Sequence, residues 1–140
     1  MRSLTPVVAG LLLAAACSDG TSASPTVVVS SRLLAPAVDS GGTAVIRVQA
    51  TNVGSREVSA RAGSTCVARA RLETPAGVVV PTPILICAPV VTTYHFAPGD
   101  TSQWDVNLEI RTPPGPYVVV ASLEIGKAIT HQDTLPLVVQ

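Results

Sequence analysis

The chain has no surplus of basic residues, because nine Lys and Arg are matched by nine Asp and Glu among its 140 residues. Removal of residues 1–16 would take away one base, Arg2, and leave eight basic and nine acidic residues, a net charge of −1. Domains that bind nucleic acids carry a basic patch that attracts phosphates. A nucleic-acid partner is therefore not expected.

Signatures of helices and of catalysis are also missing. No window of ten or more residues keeps a 3.6-residue apolar period without an intervening Pro or Gly, so helices are not expected. There is no Gly-rich phosphate loop, calcium loop or nucleophile elbow. We expect His95 to face solvent from a strand, His131 to lie in a turn, and Asp105 and Glu109 to decorate a wet strand face. The sequence predicts no enzyme, no catalytic residue, no metal ligand and no cofactor.

A long apolar run is absent, but a short one opens the chain. Leu4 to Ala16 would span roughly 20 Å as a helix, whereas a bilayer core needs about 30 Å. Arg2 supplies a positive start, Val7 to Leu13 an apolar stretch, and Ala14 to Ala16 the small residues of a cleavage site. These features predict a signal peptide over residues 1–16 and an exported protein.

Cys17 follows the small residues directly. The stretch resembles the lipobox of bacterial lipoproteins, with Ala14 where that motif usually has Leu. The resemblance implies that Cys17 carries a lipid and becomes the N-terminus, anchored to a membrane of the cell envelope. Cleavage at the same bond by an ordinary signal peptidase is the alternative.

Three cysteines is an odd number for an exported protein. With Cys17 lipidated, Cys66 and Cys87 remain, and outside the cytoplasm they can form a disulfide. It would close a loop of about 22 residues and stabilise the fold by roughly 3 kcal/mol. Two free thiols, a metal site or a catalytic thiol are the alternatives, but neither histidine has the spacing that the last two need.

Strand patterns dominate after a small, polar tether at 17–25. Apolar and polar residues alternate with a period of two in four segments, which predicts half-buried antiparallel strands: 43–51, 66–73, 103–111 and 117–125. Six further strands are expected at 26–34, 56–61, 77–80, 84–88, 90–96 and 133–139. Trp104 shares an apolar face with Val106, Leu108 and Ile110, and we expect it to anchor the core.

About seven to nine short strands within residues 26–140 predict one all-β domain, an Ig-like antiparallel β-sandwich, because a single sheet could not bury every apolar face. The order of turns resembles the bacterial intracellular proteinase inhibitor family over about 43–125. The matching residues are Asn52 and Gly54, Gly77 and Val78, Phe96 with Pro98-Gly99-Asp100, and Pro114-Gly115 with Tyr117. The resemblance implies the fold, and it assigns no inhibitory residue.

Ig-like sandwiches offer loops and edge strands for protein contact. The apolar, proline-containing stretch 74–86 is the candidate contact, either as an exposed hairpin or as an edge strand blunted by Pro81 and Pro83. We expect a lipid-anchored, non-catalytic binding or accessory domain whose partner is another envelope or surface protein. Proteinase inhibition through an exposed loop and a purely structural envelope role are the alternatives.

Overall fold

A computed structural model describes residues 26–140, so the predicted signal peptide (1–16), Cys17 and the tether (17–25) lie outside the described residues. The described chain contains strands and turns but no helix, and so no helix that could cross a bilayer. The strands are β1 (Val27–Leu33), β2 (Ala37–Val38), β3 (Thr43–Asn52), β4 (Val58–Ala62), β5 (Ala68–Glu73), β6 (Val79–Val80), β7 (Thr92–Phe96), β8 (Thr101–Glu109), β9 (Gly115–Ile125) and β10 (Ile129–Val139).

Two sheets pack face to face, as the sequence predicts for an Ig-like sandwich. One sheet has the order β1-β3-β8 and the other β2-β10-β9-β5-β6, and every pairing is antiparallel except the short contact of β2 with β10. Eight strands have five or more residues, and β2 and β6 have two each.

The pair β4-β7 continues the pair β3-β8 beyond a bend. Thr51 pairs with Thr101 on the β3-β8 side of the bend, and Val58 pairs with Phe96 on the β4-β7 side. Buried Asn52 joins the two sides, since its Nδ2 donates to the Phe96 and Arg56 carbonyls at 2.8 and 2.7 Å. The turn at Ala97–Asp100 reverses at Gly99, whose φ of +85° favours glycine.

The core follows the predicted period of two. On β3 the residues Ala44, Ile46, Val48 and Ala50 are all buried, while those between them are not. Phe96 is the largest fully buried side chain of the described residues. Trp104 lies on the inner face, as expected, but it is only half-buried and meets Tyr94 edge-on with ring centroids 6.0 Å apart. Trp104 packs against the core but is less buried than predicted, because it lies on an edge strand where one side of the ring stays open.

Two local predictions were wrong. Residues 84–88 form no strand, because Pro81 and Pro83 remove the backbone donors that pairing needs. His131 lies within strand β10 and not in a turn, because β10 begins at Ile129, four residues before the predicted start at 133. The other predicted strands appear with small shifts of their ends.

Candidate functional site

Most of the exposed large apolar side chains of the described residues lie in one stretch that includes β6. We call this stretch, residues Val78–Val91, the apolar segment. No charged residue occurs between Glu73 and His95, and Ile84 and Ile86 are each 92% exposed. Five further large apolar side chains of the segment are exposed: Val78, Val79, Leu85, Val90 and Val91. Single exposed apolar residues are ordinary on a protein surface, whereas seven within the fourteen residues of one uncharged segment are unusual.

A disulfide holds the apolar segment to the sandwich. Cys66 and Cys87 are bonded with their Cα atoms 5.4 Å apart, which confirms the predicted pair. Thr65 N–H donates to the Ala88 carbonyl at 3.0 Å, and Ala88 N–H donates to Thr65 Oγ1 at 3.0 Å. Arg69 Nε donates to the Cys66 carbonyl at 3.0 Å. The segment is thus held at Cys87 and Ala88 by one covalent bond and two hydrogen bonds, and Arg69 steadies the Cys66 side of the link.

Between β6 and Cys87 the apolar segment forms no strand. β6 pairs with β5 only through Val79 and Val80, and Pro81 ends that pairing. Residues 81–86 make no backbone-to-backbone hydrogen bond with the rest of the described chain. The sequence left an edge strand and an exposed hairpin as alternatives for 74–86, and the structure contains a two-residue edge strand followed by an exposed stretch.

A groove runs between the segment and strand β8. Its larger part, about 500 Å³, is lined by residues 82–85 on one side and 106–109 on the other, with Ala70 and Thr43 also in contact. A second part of about 300 Å³ lies between Leu85, the disulfide and Trp104. Leu85 and Val106 line both parts, so Leu85 divides the groove. Sequence analysis missed this groove, because it is formed by residues about twenty positions apart that no local pattern connects.

His95 is exposed, as expected, and belongs to a small polar cluster on the pair β4-β7. Ser59 Oγ and Glu57 Oε1 lie 2.9 and 3.2 Å from its Nδ1. A Ser-His-acid triad needs the hydroxyl and the carboxylate on different ring nitrogens. Here both approach the same nitrogen, so the cluster lacks the geometry that activates a serine.

Asp133 connects the two sheets. One carboxylate oxygen, Oδ2, accepts from Ser31 N–H on β1 at 3.0 Å and lies 2.8 Å from His131 Nε2 on β10. The hydrogen bond with His131, helped by the Ser31 N–H, holds the pKa of Asp133 below its ordinary value. The hydroxyl of Ser31 is buried without a hydrogen-bond partner in the described residues. We interpret this group as a structural link, because Ser31 bonds the carboxylate through its backbone N–H and its hydroxyl bonds neither nitrogen of His131.

The outer face of the β1-β3-β8 sheet is polar. Arg47 Nε and Nη2 each donate to a different oxygen of Asp105 at 2.8 Å, which lowers the pKa of Asp105 and raises that of Arg47. Gln49 bonds Gln103, and Thr51 bonds Thr101, in the next two rows. Asp105 and Glu109 decorate this wet face, as expected. Across residues 26–140, no three His, Cys, Asp or Glu side chains come together as a metal site.

Comparisons with known proteins give the fold but no family. No protein-family model matches the chain, and no curated protein matches it. Among solved structures, the sporulation control protein Spo0M of Bacillus subtilis is 16% identical, with a TM-score of 0.52 over 82% of this chain and 49% of that one. The chain therefore spans about half the length of the Bacillus protein.

Two further solved structures have the same architecture. The C-terminal domain of wzt is 9% identical, with a TM-score of 0.50 over 84% of this chain and 75% of that one. A β-glucosidase of Erythrobacter marinus is 10% identical, with a TM-score of 0.50 over 81% of this chain and only 15% of that one. At these identities the similarity establishes a shared β-sandwich fold and carries no activity over to this chain.

Proposed function

We propose that the protein is an exported, non-catalytic Ig-like domain, lipid-anchored at Cys17, that binds another envelope protein through the apolar segment. The single observation that carries this proposal is the exposure of Ile84, Leu85 and Ile86 in a stretch without charge that a disulfide holds in place. When a partner covers apolar side chains that are held in water, the free energy falls, and this favours binding.

The disulfide also supports the location. Disulfides form and persist in oxidising compartments outside the cytoplasm, and they are rare within it. The Cys66–Cys87 bond closes the loop whose segment we assign to binding, so folding in an oxidising compartment would complete the binding surface. The signal peptide and Cys17 belong to the same proposal, and they rest on the sequence pattern.

The binding proposal is tested by cross-linking the full chain in intact cells and identifying the attached envelope proteins by mass spectrometry. A variant with both Ile84→Ser and Ile86→Ser removes the most exposed apolar groups and should unfold at the wild-type temperature. The matched control is Val28→Ser, which removes an exposed apolar group of the outer β1 face. We expect the double variant to lose a partner that the control keeps; equal capture by both variants would contradict the proposal.

The anchor has its own test, the intact mass of protein extracted from the membrane fraction. We expect a species that begins at Cys17 and carries the mass of a diacylglycerol and a further acyl chain, because one chain alone anchors only marginally. The Cys17→Ser variant should leave the membrane fraction. A mature wild-type protein without lipid mass would disprove the anchor but not the binding surface.

Proteinase inhibition is the second candidate, and one observation favours it. Residues 83–86 are exposed, form no strand and are tied to the domain at Cys87, which resembles a substrate loop held in place. Such a loop would occupy a peptidase that prefers an apolar side chain, with Ile84 or Ile86, each 92% exposed, entering the specificity pocket. Inhibition of subtilisin or chymotrypsin by the full chain, and its loss when Ile84→Asp and Ile86→Asp are combined, is the test.

A further inference from the structure

Strand β8 is an open edge. In the order β1-β3-β8 it pairs with β3 on one side, and on its other side it forms no strand pairing within residues 26–140, although β5 of the other sheet lies nearby. It has nine residues, Thr101–Glu109, which is long for an edge that natural proteins leave uncovered. The apolar segment runs alongside it without a backbone hydrogen bond, so the edge is flanked but not capped.

The direction of the free backbone groups follows from the pairing at both ends of β8. Ile110 N–H donates to the Gly42 carbonyl at 2.9 Å, and Asn52 N–H donates to the Asp100 carbonyl at 3.0 Å. Even-numbered residues therefore turn their backbone groups toward β3. Because these groups alternate along a strand, the odd-numbered residues direct theirs to the open edge. These residues are Thr101, Gln103, Asp105, Asn107 and Glu109.

One side of this edge is apolar. The groove between β8 and the apolar segment is lined on β8 by Val106 and Leu108 of the inner face and by Asn107 and Glu109 of the outer face, with Ile84 and Leu85 opposite. A strand added beside β8 would place every second side chain on the inner face, directly into this groove. Apolar residues at alternate positions are what the groove would accept.

The other side of the edge is polar and acidic. Asp105 and Glu109 project from the outer face with side chains 39% and 42% exposed, and each already binds one arginine of this chain, Arg47 or Arg111. A carboxylate accepts more than one donor. Lys or Arg on the outward positions of an added strand would complement them. A second copy of β8 in the full antiparallel register would instead place Asp105 opposite Asp105, which is destabilising.

We propose that β8 accepts an extended strand of another polypeptide, with apolar residues that alternate with Lys or Arg, and that the apolar segment forms the far wall of its groove. This inference rests on the proposed function and specifies how the partner binds. The added strand makes backbone hydrogen bonds to the odd-numbered residues of β8, and these bonds supply affinity while the groove and the carboxylates supply specificity.

The test begins with selection from a random twelve-residue phage-displayed peptide library on the detergent-solubilised full chain. We expect enriched peptides with the alternating pattern, and binding that slows hydrogen exchange at the amides of Gln103, Asp105 and Asn107. Asn107→Pro removes one outward N–H without loss of a bond to β3, because Pro is tolerated where the N–H faces away from the sheet. It should weaken binding about tenfold, and the matched control Asn107→Thr should not.

Four results would overturn strand addition: no enriched family of peptides, peptide affinity that Asn107→Pro leaves unchanged, outward amides of Gln103, Asp105 and Asn107 already protected in the chain alone, or binding to phosphatidylglycerol vesicles in place of peptides. If peptides or the envelope partner depend on Ile84 and Ile86 but not on Asn107, strand addition fails while the proposed function stands. If the envelope partner still binds after the Ile84 and Ile86 substitutions but peptide binding requires Asn107, the binding surface is the strand edge and not the apolar segment.

Discussion

Asn52 is a buried polar residue whose side chain bonds three backbone groups. Its side chain donates to the Phe96 and Arg56 carbonyls and accepts from Gly54 N–H at 2.9 Å, so its amide makes three hydrogen bonds at the bend between β3 and β4. Gly54 is needed beside it, because a Cβ there would lie 2.9 Å from Thr26 Cγ2. The Asn-x-Gly pattern noted in the sequence thus has a structural reason, independent of any family.

Replacement of Asn52 by Ala should destabilise the domain by about 2–4 kcal/mol, because the buried Phe96 carbonyl loses its donor and a cavity remains. Urea unfolding followed by far-UV circular dichroism measures this loss. Gln49→Ala on the exposed face of β3 is the control and should change stability little. An Asn52→Ala variant as stable as the control would show that water replaces the amide.

Phe96 and Trp104 differ in burial, and their truncation should differ accordingly. Phe96 is fully buried, so Phe96→Ala should cost about 3–5 kcal/mol. Trp104 is half-buried beside Leu85 and the disulfide, so Trp104→Ala should cost less than Phe96→Ala. Denaturant midpoints of the two variants settle the order, and a larger cost for Trp104 would mean that the edge of the groove is closed in solution.

At the scale of elements, the chain from β6 to β7 is held in two different ways. β6 and the end of β7 belong to the sheets, whereas the stretch between them is positioned by Cys87 and by the Thr65–Ala88 hydrogen bonds. Few backbone bonds hold this stretch, so its position depends on the covalent link.

Removal of the disulfide by Cys66→Ser with Cys87→Ser should lower the unfolding free energy by about 3 kcal/mol in the chain-entropy model, given a sequence separation of 21. The amides of residues 84–88 should then exchange faster, while those of β9 keep their relative protection. Hydrogen exchange with mass spectrometry reads both regions in one experiment. Unchanged exchange at 84–88 would show that Leu85 packing alone positions the segment.

At the scale of the whole molecule, the sheets are held together by one apolar core and by the Asp133 link. Core residues come from both sheets, with Ile46 and Val48 on β3 facing Val119 and Leu123 on β9 across the sandwich. Asp133 on β10 accepts from Ser31 N–H on β1 and so links the two sheets, while His131 on β10 bonds the same carboxylate.

The Asp133 link should make stability depend on acid pH. A carboxyl whose pKa in the folded state lies below its ordinary 3.8 stabilises the fold above that pH, and the stabilisation is lost as the pH falls through the folded-state pKa. We expect the melting temperature of the wild type to fall more steeply below pH 3.8 than that of Asp133→Asn. Asp39→Asn is the control, since its side chain has no hydrogen-bond partner within the described range and it should follow the wild type. Parallel curves for wild type and Asp133→Asn would contradict the link.

The sequence by itself determined the all-β class, most strands and the cysteine pair. A strand with one wet face must alternate apolar and polar residues, so the pattern on β3 specified both its extent and its buried face. Likewise, the odd cysteine count, together with the predicted lipidation of Cys17, favoured a bond between Cys66 and Cys87, and the structure contains that bond.

Only the tertiary structure decided which strand edges stay open and where the apolar segment lies. Residues 84–88 have an apolar composition suited to a strand, yet prolines and the disulfide keep them unpaired beside β8. The groove exists because the fold places Leu85 of the apolar segment and Val106 of β8, distant in sequence, along the same space. Strand order is set by long-range packing, and a local pattern of side chains carries no information about which neighbour a strand will lack.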